Sequence, residues 1–339
     1  MTFQHQVLMR ITRPKAEVDR NMQAYRIRSF DGSPVLEEIP SPAPAPHEVK
    51  IRIRACGLNF ADLLMQKGTY QDTPKPPFTP GLEAAGEVLQ CGEAVQHLTP
   101  GDRVAVFGGQ GGLAQEGVFD AARVLVIPDS MSFEDAAAFQ IAYGTSQVAL
   151  DHCARLQPGE TLLVTGAAGG VGLTAVEIGK LMGARVIAHA RGTGKLQIAE
   201  AAGADHLIDA KEDLRQAVKS LGGADVVYDA VGGDVWTEAF RATNPGGRLL
   251  PIGFASGEVP QIPANHLLVK NLTVIGFYIG GYMKSHPEVI RRALTTLMDW
   301  HSAGRIRPHI SHVLPLERVA EGLELLRSRA STGKVVITP

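Results

Sequence analysis

At 339 residues, with 45% hydrophobic and 20% charged side chains, the chain has ordinary globular composition and length for two domains with separate cores. A formal net charge of −2 supplies no basic field of the kind that nucleic-acid backbones or anionic lipid surfaces reward, so neither is an expected partner. No apolar run approaches the roughly 18–20 residues of a bilayer crossing and no secretory signal is evident, so a cytoplasmic protein is expected. The cysteines, Cys56, Cys91 and Cys153, lack C-x-x-C spacing, which predicts reduced thiols rather than a disulfide framework or zinc knuckle.

Residues 1–21 are polar and show no clear period, which predicts an N-terminal extension, either an upstream start or a disordered tail. Met22 opens MQAYRIRSF, which alternates as a strand does. The proline run from Pro40 to Pro46 can sustain neither helix nor ladder, and EVKIRIRACG after it alternates apolar and charged residues over a strand with one wet face. Up to about Ile127, short strands separated by Gly and Pro clusters predict a small antiparallel β barrel or sandwich. Beyond Ser132, strands alternate with helix-length segments, the signature of βαβ units and a parallel sheet. TLLVTG, ARVIAHA, HLIDA, ADVVYDAVG, GRLLPIG and LTVIGF are its six candidate strands. Near Gly280 the alternation stops: PEVIRRALTTLMDWHSAG has helical spacing, while HVLP and KVVITP predict strands that return to the first domain. The division expected is 22–141 with 281–339 for the β-rich domain and 142–280 for a doubly wound α/β domain.

The strongest local signal is TLLVTGAAGGVGLTAVEIGKLMG, an apolar strand running into a glycine-rich turn and an amphipathic helix, with a second strand to follow. Ala167, Gly169 and Gly172 occupy the three small places of a dinucleotide fingerprint, where absent side chains let backbone approach a pyrophosphate at a helix N-terminus. NAD-selective sites place Asp or Glu at the end of the second strand to hold the ribose hydroxyls. That stretch here, HARGTGK, has no acid, and Arg191 and Lys195 offer cationic donors to a 2′-phosphate, so NADPH is the expected cofactor.

Seven motifs in order, ACGLNFADL, PGLEAAGEV, GDRVAVFG, YGTSQVAL, GAAGGVG, DVVYDAVGG and TGKVVITP, make the chain resemble the zinc-free quinone oxidoreductase family of the medium-chain dehydrogenase/reductase superfamily, zeta-crystallin included. The resemblance implies a Rossmann domain, a GroES-like β domain completed by the C-terminal tail, and a nicotinamide cleft between them. In the superfamily's alcohol dehydrogenases, zinc-binding cysteine and histidine stand where this chain has Asn59 and Leu82, and the four-cysteine lobe is replaced by GGQGGLAQEGVFD. Neither a carboxamide nor an isobutyl group replaces thiolate or imidazole on zinc. Acceptors that stabilise added hydride by themselves, quinones and other α,β-unsaturated carbonyls, are therefore expected.

Carried over residue by residue, the resemblance implies Asn59 beside the nicotinamide and Thr145 near the cofactor, with Gly169, Gly170 and Val171 at the pyrophosphate. Lys195 would meet the 2′-phosphate, Gly253 and Phe254 would form the loop after the fifth strand, and Phe277 would border the nicotinamide. Enoyl reductases of the superfamily carry a proton-donating tyrosine at the position of Leu64; Tyr70 matches a second family tyrosine and is the candidate donor of a proton or hydrogen bond. Asp62 and Glu83 are expected to be structural hydrogen-bond acceptors, His309 and His312 to bind no metal, and Tyr278 and Tyr282 to shape the substrate mouth. The family also implies a homodimer joined along LTVIGF. An enoyl-thioester reductase with another proton donor, and a non-catalytic NADPH-binding protein, are the alternative readings.

Overall fold

The computed structural model describes residues 21–339, so the expected N-terminal extension lies outside the described residues except for Asn21. β1 (Asn21–Arg26) and β2 (Val35–Pro40) form an antiparallel ribbon. The alternation of EVKIRIRACG produces β3 (Glu48–Gly57), with Val49, Ile51 and Ile53 in the core and Arg52 and Arg54 in water, as a period of two requires. α1 (Phe60–Gln66), β4 (Glu83–Cys91), β5 (Arg103–Phe107), β6 (Glu116–Asp120) and β7 (Val124–Val126) follow, then α2 (Phe133–Ala137) and α3 (Gln140–Gln147).

The second half alternates as its sequence rhythm predicts. It runs β8 (Thr161–Thr165), α4 (Gly170–Leu181), β9 (Arg185–Ala190), α5 (Thr193–Ala201), β10 (His206–Asp209), α6 (Leu214–Ser220), β11 (Ala224–Asp229), α7 (Gly233–Ala242), β12 (Thr243–Pro251), α8 (Ala264–Lys270) and β13 (Thr273–Val274). These strands form one parallel sheet in the order β10-β9-β8-β11-β12-β13, the doubly wound Rossmann arrangement. Its central strands are buried on both faces: Leu162 and Val164 pack on one side, and Leu163, Ile187 and Val227 on the other. LTVIGF yields a strand of only Thr273–Val274, shorter than expected, and β13 is the sheet's open edge.

α9 (Ile279–Ser285), α10 (Pro287–Ser302), β14 (Ile310–Pro315), α11 (Val319–Arg327) and β15 (Lys334–Thr338) complete the chain. β15 pairs antiparallel with β3, so the tail closes a GroES-like sheet ordered β14-β15-β3-β4-β5-β7, with β6 also on β3. The boundaries expected at 141/142 and 280/281 both fall inside helices, α3 and α9; α3 sends Tyr143 into one core and Ile141 into another, which α9 joins through Ile279. β3 and α2 meet closely: a Cβ on Gly57 would lie 2.1 Å from the carbonyl oxygen of Ala137. This explains the glycine two residues before Asn59 and fixes the start of α1 against α2.

Candidate active site

On the Rossmann side, β8 ends in a turn where Gly166 takes φ +63° before α4 begins at Gly170. A Cβ on Gly172 would stand 2.2 Å from the Gly166 carbonyl oxygen, so this place of the fingerprint lets the helix lie against the strand. The unpaired N–H groups at the start of α4 and the helix dipole form an anion-binding end. The C-terminal tail lies across it: Gly333 N–H donates to the Ala168 carbonyl at 2.8 Å. A Cβ on Gly170 would come within 3.4 Å of Gly333 O and 3.5 Å of the Lys334 side chain.

Sheet order reverses between β8 and β11, the crevice where doubly wound folds bind ligands. Buried Asp229 pins both strand ends by accepting from Thr165 Oγ1 and, at 2.8 Å, from Gly232 N. The loop with Gly253 and Phe254 lies over the end of β11: Gly253 N donates to Asp229 O at 3.3 Å, and the Phe254 ring sits beside Gly232.

At the end of β9, Ala190 precedes the exposed Arg191, and Lys195 lies in the first turn of α5. Lys195 Nζ donates to the Arg329 carbonyl at 2.6 Å, while the Arg329 guanidinium bonds Ala255 O. Partial burial, then the charges of Arg191 and Arg329, lower the Lys195 pKa. Like charges held together cost energy unless an anion joins them, so this cluster fits a 2′-phosphate. Arg329 escaped the sequence reading because it lies 134 residues from Lys195. Its only signal is its place just before the closing TGKVVITP.

On the β-domain side, Asn59 caps α1, its N–H donating to Asp62 Oδ2 at 2.8 Å. Asp62 also accepts from Gly81 N, and burial pushes its carboxyl up to about 7. Beside it lies a buried ion pair between Lys334, 4% exposed, and Glu83, 1% exposed. The three ammonium protons of Lys334 are matched by Glu83 Oε1 at 2.7 Å, Asn59 Oδ1 at 2.8 Å and Leu58 O at 2.9 Å. Glu83 further accepts from Asn59 Nδ2 at 3.0 Å and from Ile141 N at 2.9 Å, and Asn59 Nδ2 reaches Gly57 O. Asp62 and Glu83 are thus hydrogen-bond acceptors, as expected. Lys334 was missed as a site residue, although a charge opening the apolar run KVVIT is a visible anomaly.

This centre does not fit a zinc ion. A fixed ammonium group already neutralises Glu83, and Asn59 and Leu82 are not zinc ligands. The described residues contain no group of three His, Cys, Asp or Glu side chains that could hold a metal. His309 and His312 instead bond Thr332 and Ser311.

A cleft of about 260 Å³ opens beside Leu82, lined among others by Tyr70, Phe107, Arg123, Tyr278 and Lys284. Tyr70 is half-buried there, and burial raises its phenol pKa. Its hydroxyl lies 3.0 Å from that of Tyr278, which donates to Asp72 Oδ2 at 2.5 Å. Lys284 pairs with the same carboxylate at 2.9 Å, and these bonds hold Asp72 below the usual carboxylate range. Tyr282 does not line the cleft: its ring packs on Phe277 and His286, each with centroids 5.0 Å away, on the far side of α9. Leu64 is not among the lining residues either. Thr145 is buried in α3, which Tyr143, bonded to Glu177 at 2.6 Å, and Ser146, 3.0 Å from Tyr228 Oη, attach to the Rossmann side.

A doubly wound sheet with a glycine-rich turn at its switch point, joined to a GroES-like domain beside a small cleft, is the architecture of a nicotinamide-dependent oxidoreductase. Family profiles described as "Alcohol dehydrogenase GroES-like domain" and "Zinc-binding dehydrogenase" match residues 45–129 and 170–297. The chain is 43% identical to the quinone oxidoreductase-like protein 2 homolog of Nematostella vectensis over 86% of its own length and 81% of that protein. It is 40% identical to the quinone oxidoreductase-like protein 2 of Bos taurus, over 94% and 93%. The Thermus thermophilus quinone oxidoreductase, solved also with NADPH, superposes with a TM-score of 0.84 at 33% identity, covering 94% of this chain and 100% of that one. The chain belongs to the zinc-free quinone oxidoreductase family of the medium-chain dehydrogenase/reductases.

Proposed function

We propose that this protein is a zinc-independent, NADPH-dependent reductase that delivers hydride to a quinone or another α,β-unsaturated carbonyl. The observation that carries the reading is the Lys334–Glu83–Asn59 centre, in which an ammonium group holds Asn59, the residue that the resemblance aligns with a zinc-binding cysteine. Without a metal to polarise an isolated carbonyl, the substrate itself must stabilise the electron pair it receives. NADPH, when bound, supplies the hydride. Gly169, Gly170 and Val171 give its pyrophosphate a close backbone, and Arg191, Lys195 and Arg329 hold its 2′-phosphate. Asn59, held on both sides of its amide, and Thr145 and Phe277 at the seam orient the nicotinamide ring. Tyr70 faces the substrate as hydrogen-bond partner and acid.

A homodimer fits the exposed Leu268 and Val269 of α8, 78% and 75% exposed, next to the open edge of β13. Three free cysteines fit a reducing, cytoplasmic setting. The test is oxidation of NADPH and NADH against quinones, enals and enoyl thioesters with EDTA throughout. NADPH oxidation by a quinone or enal is expected. Loss of all turnover on chelation would overturn the zinc-free reading, and silence despite tight NADPH binding would favour a non-catalytic role.

A further inference from the structure

The hydroxyls of the cleft form a chain whose proton order follows from valence. A tyrosine hydroxyl carries one proton, and an ionised Asp72 can only accept. The proton of Tyr278 is therefore committed to Asp72, and at 3.0 Å the proton of Tyr70 is offered to Tyr278. The order at rest runs from Tyr70 to Tyr278 to Asp72, which carries Lys284 on its other oxygen. All four residues line the cleft, and the side chains of Asp72 and Lys284 are exposed to solvent. The backbone is shaped to the chain: a Cβ on Gly280 would lie 2.4 Å from the Tyr278 hydroxyl oxygen, so this glycine leaves room for the middle member.

We propose that Tyr70, Tyr278 and Asp72 form a proton relay that carries a solvent proton from the rim of the cleft to the substrate. The proposal rests on the reductase reading above and adds the path of the second hydrogen. A proton arriving on Asp72 reverses the order: Asp72 donates to Tyr278, Tyr278 to Tyr70, and the Tyr70 O–H turns into the cleft. Hydride addition to the β-carbon of an enone moves the C=C electron pair onto the α-carbon and oxygen as an enolate. The Tyr70 O–H bond then breaks as the new C–H bond forms. Tyr70 recovers a proton from Tyr278 and Tyr278 from Asp72, which returns to the ionised form it has at rest. One hydride and one solvent proton enter, and nothing else is oxidised or reduced. Tyr70 is the catalytic acid; Tyr278 and Asp72 act through it as positioning residues. The charged groups that face the chain are Lys284 and Arg123 beside Asp72, and Asp62 behind Tyr70.

Quinone reduction provides the internal control, because a quinone oxygen takes its proton from water while carbon protonation of an enolate needs a placed acid. In Tyr278→Phe, which keeps the ring, kcat for an enone should fall about ten- to a hundredfold, a fraction of what general acids contribute. Quinone turnover should fall far less, and the NADPH Kd read by nucleotide fluorescence should stay within about twofold, well under one tenfold step of affinity. Asp72→Asn should act in the same direction and weaken the pH dependence of enone kcat. In wild type, mixtures of H2O and D2O should give a curved proton inventory that Tyr278→Phe makes linear. Without any substrate, the Tyr278 hydroxyl proton should give a downfield NMR resonance that Tyr278→Phe and Asp72→Asn both lose. Equal enone kcat in wild type and Tyr278→Phe, or a parallel loss on enone and quinone, overturns the relay alone. A wild type silent towards every acceptor overturns the reductase reading and the relay with it.

Discussion

Replacing Lys334 by methionine tests the buried centre that holds Asn59. Methionine keeps most of the length of the alkyl stem beside Gly170 but removes an ammonium group that is 4% exposed and makes three hydrogen bonds. What remains is a Glu83 carboxylate, 1% exposed, with only Asn59 Nδ2 and Ile141 N as donors. Removing one partner of a buried pair costs about 3–5 kcal/mol, because it strands an uncompensated charge. At ~2–4 °C per kcal/mol for domains of this size, the melting transition should drop by about 10 °C. The double variant Lys334→Met with Glu83→Gln, having no stranded charge, should recover most of that loss even though the pair is gone. Circular dichroism melts of the four proteins in the cycle give the coupling. A Lys334→Met protein melting within a degree of wild type, or a double variant no better than the single, would refute the account of this centre as a closed, interdependent pair.

Removing the ammonium of Lys195 or the guanidinium of Arg329 by alanine should raise the Kd for NADPH about ten- to a hundredfold, as expected for a lost charge-assisted bond, and leave the Kd for NADH nearly unchanged; equal losses for both cofactors would refute the 2′-phosphate assignment. For Asp62, whose folded carboxyl is held at about 7 against an ordinary 3.8, the folded state binds the extra proton between those values. Its contribution to stability therefore falls as pH rises from 3.8 to about 7 and levels off above. Asp62→Asn should flatten that slope in urea midpoints measured at pH 5 and pH 8, and an unchanged slope would contradict it. Leu268→Asp with Val269→Asp should convert a dimer to a monomer in analytical ultracentrifugation, and a wild-type monomer at micromolar concentration would dispose of the dimer outright.

Much of the architecture was legible because local period and glycine chemistry agree with the fold. β3 follows its alternation, and the turn from β8 to α4 follows its small residues. The six α/β strands appear where apolar runs alternate with helical ones. What the sequence hid comes from tertiary contacts between distant residues. Nothing near Lys195 announces Arg329, and nothing in LLMQKGTYQD announces that Tyr70 meets Tyr278, 208 positions on. Position relative to a strand end groups Arg191 with Lys195, and Arg329 joins them from the tail. The short β13 has a similar origin: LTVIGF has the composition of a buried strand, yet at the sheet edge it has one neighbour and pairs only through Thr273 and Val274.

The C-terminal tail then ties the whole cleft together. Arg329 reaches the loop after β12, Gly333 bonds the turn before α4, and Lys334 holds Asn59 and Glu83 within the β domain. One short segment therefore contacts the proposed 2′-phosphate site, the proposed pyrophosphate turn and the asparagine assigned to the nicotinamide. Because Gly333, bonded to the turn before α4, directly precedes Lys334 in its buried ion pair, a change at that pair must be felt at the turn. In a zinc enzyme the metal fixes the catalytic groups by coordination; here an ammonium group with all three protons matched does the same for a carboxamide. It does so from the strand that also closes the β domain. Loss of Lys334 should consequently weaken NADPH binding as well as stability, whereas loss of Arg329 should spare the Asn59 centre, an asymmetry that follows from where each cation sits along the tail.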